Sequence, residues 1–157
     1  MRGVRTGARL ETYRITVGGC RSTEELVAAG GYGYAHSAVV SENFPVRFAL
    51  AETVRDIALV RFDRAVTTTE VLDEGAQRGF VPPSYEDALC FGAQHPGVQC
   101  TGPVVFLHDP WVGYFGRRDV LCLWWNAGRR ELGLEDFDTP WGTDCRFAFT
   151  VTTPAAE

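Results

Sequence analysis

Residues 103–107 read PVVFL, residues 108–118 read HDPWVGYFGRR and residues 119–125 read DVLCLWW. The first and last of these segments are apolar, with many β-branched and aromatic residues. The middle segment is rich in Gly, Pro and charge. This composition is typical of two neighbouring antiparallel strands joined by a loop. We therefore place the centre of the fold in this strand pair.

Further strands are predicted where apolar residues alternate or run continuously. These segments are residues 10–17, 46–50, 57–62 and 146–151. The continuous apolar run Ile57-Ala58-Leu59-Val60 indicates an interior strand that is covered on both faces. Residues 126–130 are predicted to form a turn, and the structure of residues 131–139 is ambiguous from the pattern.

Three short helices are predicted from their start signals. Ser22 is followed by Glu25, and Thr67 is followed by Glu70, in the capping-box spacing. Ser84 is placed to cap a third helix. The sequence thus predicts a single α+β domain over residues 10–151, with a mostly antiparallel sheet of about six strands and about three short helices packed on it. Residues 1–9 are interpreted as a flexible basic leader and residues 152–157 as a tail.

Composition excludes several classes of protein. An apolar share of 45% is too high for intrinsic disorder. The net charge of −5 gives no general attraction to nucleic acid or to an anionic membrane. All 15 basic residues are Arg, so the chain has no lysine for Schiff-base chemistry or for a phosphate loop. No apolar run is long enough to span a membrane, and we expect a cytoplasmic protein.

The cysteines agree with a reducing compartment, because their number is odd and they form no Cys-x-x-Cys pair. They are Cys20, Cys90, Cys100, Cys122 and Cys145. We interpret them as reduced thiols that act as small core hydrophobes. A zinc site that combines some of them with His95 or His108 is the alternative, although the spacing matches no zinc template. No cofactor is predicted.

The loop at residues 108–118 is the best functional candidate. Three aromatic residues in one Gly-bounded loop exceed what a turn requires, and Trp, Tyr and Arg are enriched at interaction hot spots. The candidate binding residues are Trp111, Tyr114, Phe115, Arg117 and Arg118. A second arginine pair at residues 129–130 lies beyond the other end of the strand, about 20 Å away, and should form a separate patch.

A catalytic alternative uses His108 as a general base near acids in the same loop. Its members would be His108, Asp109, Asp119 and His95. Because neighbouring residues on a strand point to opposite faces, His108 and Asp109 can pair only if the chain bends at Pro110. The serines have no catalytic triad context, and phosphate loops, dinucleotide fingerprints and EF-hand loops are absent from the sequence.

Four segments resemble small bacterial proteins of unknown function, known as hypothetical open reading frames. They are residues 21–30 (RSTEELVAAG), 43–45 (NFP), 79–89 (GFVPPSYEDAL) and 146–149 (RFAF). That resemblance implies no catalytic residue. The order of a capped helix, a Trp-containing hairpin and an Arg-Phe strand is also similar to C-type-lectin-like domains, without their calcium and disulfide pattern.

These observations favour a non-enzymatic binding or accessory protein that contacts a protein partner through residues 111–118. The alternative is a small hydrolase or metal-dependent enzyme built on His108, Asp109, Asp119 and His95. Homo-oligomer formation is left open.

Overall fold

The computed structural model describes residues 10–47, 50–113 and 115–151 of the chain. Within these residues there are nine strands: β1 (Glu11–Val17), β2 (Tyr34–Ala35), β3 (Thr53–Arg61), β4 (Phe80–Val81), β5 (Val104–Val105), β6 (Trp111–Val112), β7 (Arg118–Asn126), β8 (Arg129–Asp136) and β9 (Arg146–Val151). The described helices are α1 (Thr23–Gly30), α2 (Thr68–Gln77), α3 (Tyr85–Gln94) and a 3₁₀-helix at Val98–Thr101. The predicted leader and tail lie outside the described residues.

All nine of these strands belong to one sheet in the order β1-β3-β9-β5-β7-β8-β2, with β4 on β9 and β6 on β7. The β2–β8 and β5–β9 pairs are parallel, and the other pairs are antiparallel. The prediction of a single α+β domain with helices packed on a sheet is confirmed. The predicted number of about six strands is too low, and the two parallel pairs make this larger sheet a mixed one.

The predicted strand at residues 46–50 is not observed. Val46, Arg47 and Leu50 lie outside the strands, and residues 48–49 are outside the described residues. At Arg47 a side chain takes the place of a strand partner. The amide of Arg47 donates to the Glu86 carboxylate at 2.9 Å, which ties the segment to the first turn of α3.

The strand β8 was missed because its residues are mostly charged and include a glycine. Leu132 and Leu134 are buried on one face. On the other face, a Cβ at Gly133 would lie 3.4 Å from the Trp124 ring, so Trp124 covers this position. The turn between β7 and β8 is also tighter than predicted, since only Ala127 and Gly128 lie between the strands.

The three remaining unpredicted strands, β2, β4 and β6, have two residues each. Two residues cannot show an alternating pattern, so the sequence carries no signal for them. The central strand pair was predicted correctly: β5 pairs antiparallel with β7, with Val104 opposite Leu123. The interior position of β3 is also confirmed, because it lies between β1 and β9 with Ile57 and Val60 buried.

All three α-helices begin at the predicted caps. In each helix the hydroxyl of the capping residue accepts from the backbone amide three residues later. The acidic side chain at that later position accepts in turn from the amide of the capping residue. The capping residues are Ser22, Thr67 and Ser84. In α3 the returning acid is Asp87, whose carboxylate accepts from the Ser84 amide at 2.9 Å. Local spacing alone produces these boxes, which explains why they are readable from sequence.

The helices cover the sheet on two sides and create two apolar layers. The α1 and α3 helices pack on one face, and the apolar layer that they form with the sheet includes Leu26, Leu89, Phe91, Ile57, Phe106, Leu121 and Leu123. The α2 helix packs on the other face, and the apolar layer between them includes Val71, Val60, Val105, Cys122, Phe147 and Phe149. The sheet therefore has a core on each side, as expected for strands with continuous apolar sequences.

The sheet changes partners along β7, and this change positions the candidate site. In the middle of β7, residues 122–123 pair with β5. At its start, Arg118 and Asp119 pair with β6. After β5 the chain bends at residues 108–110 and then forms β6. This strand pairs with β7 on the same side as β5 does. The segment from β6 into β7 thereby forms a hairpin at one end of the sheet.

Candidate functional site

The hairpin between β6 and β7 ends in a tight turn. The Gly116 amide donates to the Gly113 carbonyl at 3.1 Å, and the Gly113 amide donates to the Arg117 carbonyl at 3.2 Å. Gly116 has φ +76°, in the left-handed region where glycine has no Cβ penalty. A short hairpin loop closed by a left-handed glycine is a common rigid connection. Backbone hydrogen bonds therefore hold Gly113 and Gly116 in place.

Phe115 lies on this turn and is 99% exposed. Val112, on β6, is 56% exposed and belongs to the same hairpin. Tyr114, the third aromatic residue of the predicted binding set, lies outside the described residues. The described part of the tip therefore presents an uncovered aromatic ring, with an aliphatic side chain near its base.

Trp111 has a different environment from Phe115. Its ring is partly buried against the core layer under α1 and α3. It lies 5.6 Å from the Phe44 ring, measured between centroids, and Phe44 itself is buried. A Cβ at Gly113 would lie 3.3 Å from the Trp111 ring, so the indole also packs beneath the turn. Trp111 therefore anchors the hairpin to the domain.

The two predicted arginines are both paired with acids. Arg117 Nε lies 2.6 Å from Asp119 Oδ1, and this contact raises the pKa of Arg117. Arg118 makes a bidentate contact with Asp138, with Nε 3.0 Å from Oδ2 and Nη2 2.5 Å from Oδ1. The guanidinium of Arg118 also lies 5.0 Å from the centre of the Phe137 ring. These contacts order both side chains along the base of the hairpin.

The end of β8 brings two more carboxylates to this base. Asp136 lies opposite Asp119, and Glu135 lies opposite Val120. Burial raises the pKa of Glu135, as do the charges of Asp119 and Asp136, while Arg117 acts in the opposite direction. Sequence reasoning missed these acids because only the pairing of β7 with β8 places them beside residues 117–119.

His108 is a buried part of the sheet, with 2% of its surface exposed. Nδ1 donates to the Asp109 carbonyl at 2.8 Å, and Nε2 accepts from the Leu121 amide at 3.0 Å. The imidazole is therefore neutral, with its proton on Nδ1, and it replaces the strand partner that β7 lacks at this bend. Burial lowers the pKa of His108 to about 4, although its contacts with Asp109 oppose that shift.

The residues of the predicted catalytic alternative do not converge. His95 Nε2 donates to the Arg14 carbonyl of β1 at 2.7 Å, whereas His108 contacts β7. The sheet order puts four strand spacings, about 19 Å, between β1 and β7. The Asp109 side chain is exposed, and Asp119 is paired with Arg117. A shallow cleft beside α1 lies outside this set and is lined by Cys20, Arg21, Ser22, Glu25, Ser41, Pro45 and Val46.

The cysteines divide into core and surface positions. Cys90, Cys122 and Cys145 are buried, as predicted for small core hydrophobes, whereas Cys20 is exposed. Burial raises the pKa of Cys90 and of Cys145 to about 11. All five thiols, including Cys100, are unpaired. Among the described residues, no group of three or more His, Cys, Asp or Glu side chains is arranged to hold a metal ion.

The second arginine pair lies at the opposite end of β7, as predicted, but only one member is solvated. Arg129 is exposed and pairs with Glu131 at 2.6 Å. Arg130 donates to the carbonyl oxygens of Gly30 and Gly92 and lies over the ring of Tyr32. Arg130 thus joins α1, α3 and β8, a structural role that no local sequence signal indicates.

No helix in the described part of the chain has the length and apolar character needed to cross a bilayer. Comparisons of the chain with family models, curated proteins and solved structures find no match. The resemblance to small bacterial proteins of unknown function therefore stays a prediction, as does the likeness to C-type-lectin-like domains.

Proposed function

We propose that this chain is a non-enzymatic binding protein that holds a protein partner through the hairpin tip at residues 111–118. The observation that carries the proposal is the complete exposure of Phe115 on a turn whose backbone is fixed by two hydrogen bonds. Because those bonds already order the backbone on either side of Phe115, a partner that covers the ring has to order the side chain but not that backbone, which reduces the cost of binding.

The energy available from Phe115 is sufficient for an interaction hot spot. Burial of a Phe side chain contributes about 1.5–3 kcal/mol. Hot-spot residues lose about 2 kcal/mol or more on truncation and lie at the centre of a contact with polar groups around them. Arg117 and Arg118, ordered by their acids, are suited to this surrounding position. Trp111 would act indirectly, by fixing the hairpin on the domain.

The contacts of His108 argue against the enzymatic alternative. A general base needs a ring nitrogen that can take a proton from substrate. Both nitrogens of His108 bond to the main chain, and the ring is buried. We place the protein in the cytoplasm, an assignment supported by the five unpaired thiols, one of them exposed.

Site-specific photocrosslinking tests the proposal directly. Phe115 is replaced by benzoylphenylalanine in the cells that produce the protein, and Val81, 47% exposed on β4, is replaced in the same way as a control. We expect a discrete adduct from position 115 that position 81 does not form. The partner identified from it is then purified and titrated with wild type and with Phe115→Ala.

The variant should bind this partner about 30-fold more weakly, the effect of a hot spot of about 2 kcal/mol. Val81→Ala should bind as wild type does. Equal binding by Phe115→Ala and wild type, with both proteins folded, would contradict the proposal.

A further inference from the structure

The base of the hairpin carries an excess of negative charge. Arg117 and Arg118 are the cations of this region, and each is already paired, with Asp119 and with Asp138. Glu135 and Asp136 lie beside these pairs, and neither carboxylate is within ion-pair distance of a cation among the described residues.

The position of these two carboxylates follows from strand register. Asp119 has Trp111 of β6 on one side and Asp136 of β8 on the other. Neighbouring strands are about 4.8 Å apart, so Asp136 lies about 10 Å from the β6 backbone. Strand alternation puts Asp136 on the face of Trp111 and Asp119, and Glu135 on the opposite face with Val112. A partner whose pocket encloses the hairpin tip from both faces would therefore also meet the end of β8.

Glu135 is half-buried, and its charge is costly in the free protein. Burial raises its pKa, the charge of Arg117 opposes this shift, and the charges of Asp119 and Asp136 add to it. A cationic group placed beside these carboxylates would offset both the repulsion and the loss of hydration. An anionic group would add to the repulsion.

We infer that the hairpin binds a protein surface in which basic side chains surround an apolar pocket. The pocket would receive Phe115, and the basic side chains would contact Glu135 and Asp136. This inference rests on the proposed function and adds the chemistry of the partner. It departs from the simplest interpretation of two adjacent arginines, an acidic partner, because both guanidinium groups already have carboxylate partners.

The same charges disfavour two other occupants of the hairpin tip. Nucleic acid and anionic lipid both present dense negative charge, which the carboxylates of Glu135 and Asp136 would repel. The whole chain has a net charge of −5, which acts in the same direction at longer range.

The test is a selection of random 16-residue peptides displayed on phage against the immobilised full chain. Selected peptides are synthesised and titrated against wild type, Phe115→Ala and the double variant Glu135→Gln/Asp136→Asn. A matched control, Glu42→Gln/Asp73→Asn, changes the net charge by the same amount at exposed positions outside strands β6 to β8. Circular dichroism melts establish that each variant is folded.

We expect peptides that combine Lys or Arg with a cluster of large apolar residues. Phe115→Ala should abolish their binding. The Glu135→Gln/Asp136→Asn variant should weaken it roughly tenfold at low ionic strength, as expected for the loss of two partly exposed ion pairs. The deficit should shrink as salt is raised, because salt screens exposed charges. The control variant should bind within about twofold of wild type.

Other results would overturn the inference in distinguishable ways. Peptides that require Phe115, but are acidic or neutral and bind the double variant as well as wild type, would refute the partner chemistry and leave the proposed function standing. A selection without peptides that depend on Phe115 would refute both. Wild type that sediments with phosphatidylglycerol vesicles, when Phe115→Ala does not, would also refute both and identify a membrane-contacting tip.

Discussion

Replacement of His108 by glutamine is expected to change how the stability of the fold depends on pH. In the native state His108 is neutral, because its Nε2 accepts from the buried Leu121 amide and its Nδ1 donates to the Asp109 carbonyl. A protonated imidazole has no acceptor, so it would lose the bond from Leu121 and place a charge in the core. Glutamine retains an amide oxygen that can accept from Leu121 but has no group that titrates in this range.

The magnitude follows from the fall of the His108 pKa from 6.5 to about 4 on folding. Because the folded pKa is the lower one, the unfolded chain takes up the proton first as pH decreases. The contribution of His108 to the stability of the fold is therefore complete above pH 6.5 and is lost progressively as pH falls to about 4. Each pKa unit corresponds to about 1.4 kcal/mol, so the full loss from this one group is roughly 3 kcal/mol.

The assay is urea denaturation of wild type and His108→Gln at a series of pH values from about 7.5 to 4, followed by tryptophan fluorescence. The carboxylates titrate in both proteins and cancel in the difference between their free energies of unfolding. That difference should favour wild type most at pH 7.5 and should shift by roughly 3 kcal/mol toward the variant by pH 4. Parallel pH profiles for the two proteins would refute the assignment of His108 as a neutral, bonded part of the sheet.

Three further substitutions test the architecture around the site. Gln94→Ala removes an amide that bonds both the amide and the carbonyl of Thr16 on the edge strand β1, at 2.9 and 2.8 Å. We expect a stability loss of about 1 kcal/mol and concentration-dependent association by sedimentation velocity, because the edge becomes open. Gly75→Ala places a Cβ 2.2 Å from the Phe149 ring and should lower the free energy of unfolding by about 1–3 kcal/mol in urea denaturation. Arg130→Ala should lower it by about 3 kcal/mol in the same assay, because buried carbonyl oxygens lose a charged donor.

Each of these substitutions has a matched control on the chain. Gln77→Ala changes an exposed glutamine at the end of α2, and Gly97→Ala adds a Cβ with no heavy atom within 4 Å. Arg129→Ala removes the exposed neighbour of Arg130. All three controls should stay within about 0.5 kcal/mol of wild type. A monomeric Gln94→Ala, or losses in Gly75→Ala and Arg130→Ala no larger than those of their controls, would count against the packing described.

Local signals predicted the helices well and the sheet less well. Ser22, Thr67 and Ser84 each have an acid three residues later, and this spacing is sufficient to begin a helix wherever the domain places it. The strand β8 has no comparable local signal. Its charged residues become a strand because Leu132 and Leu134 pair with β7 and enter the core, which depends on residues far away in sequence.

The candidate site shows the same division. The sequence indicated that residues 111–118 form an aromatic, arginine-containing loop between strands, but it treated the aromatic residues alike. In the structure Trp111 packs on Phe44, whereas Phe115 is uncovered. The direction of a side chain in a loop is fixed only when the turn forms. The exposure of Trp111 and Phe115 could therefore not be predicted from their residue types.

The amino-acid sequence by itself determined the α+β class, the helix starts, the central strand pair and the location of the loop. These features depend on periodicity and on contacts between residues a few positions apart. Only the tertiary structure decided that His108 completes the sheet, that Arg117 and Arg118 are paired, and that Glu135 and Asp136 lie beside the hairpin. Those outcomes depend on which strands become neighbours, and strand neighbours are selected by burial over the whole domain.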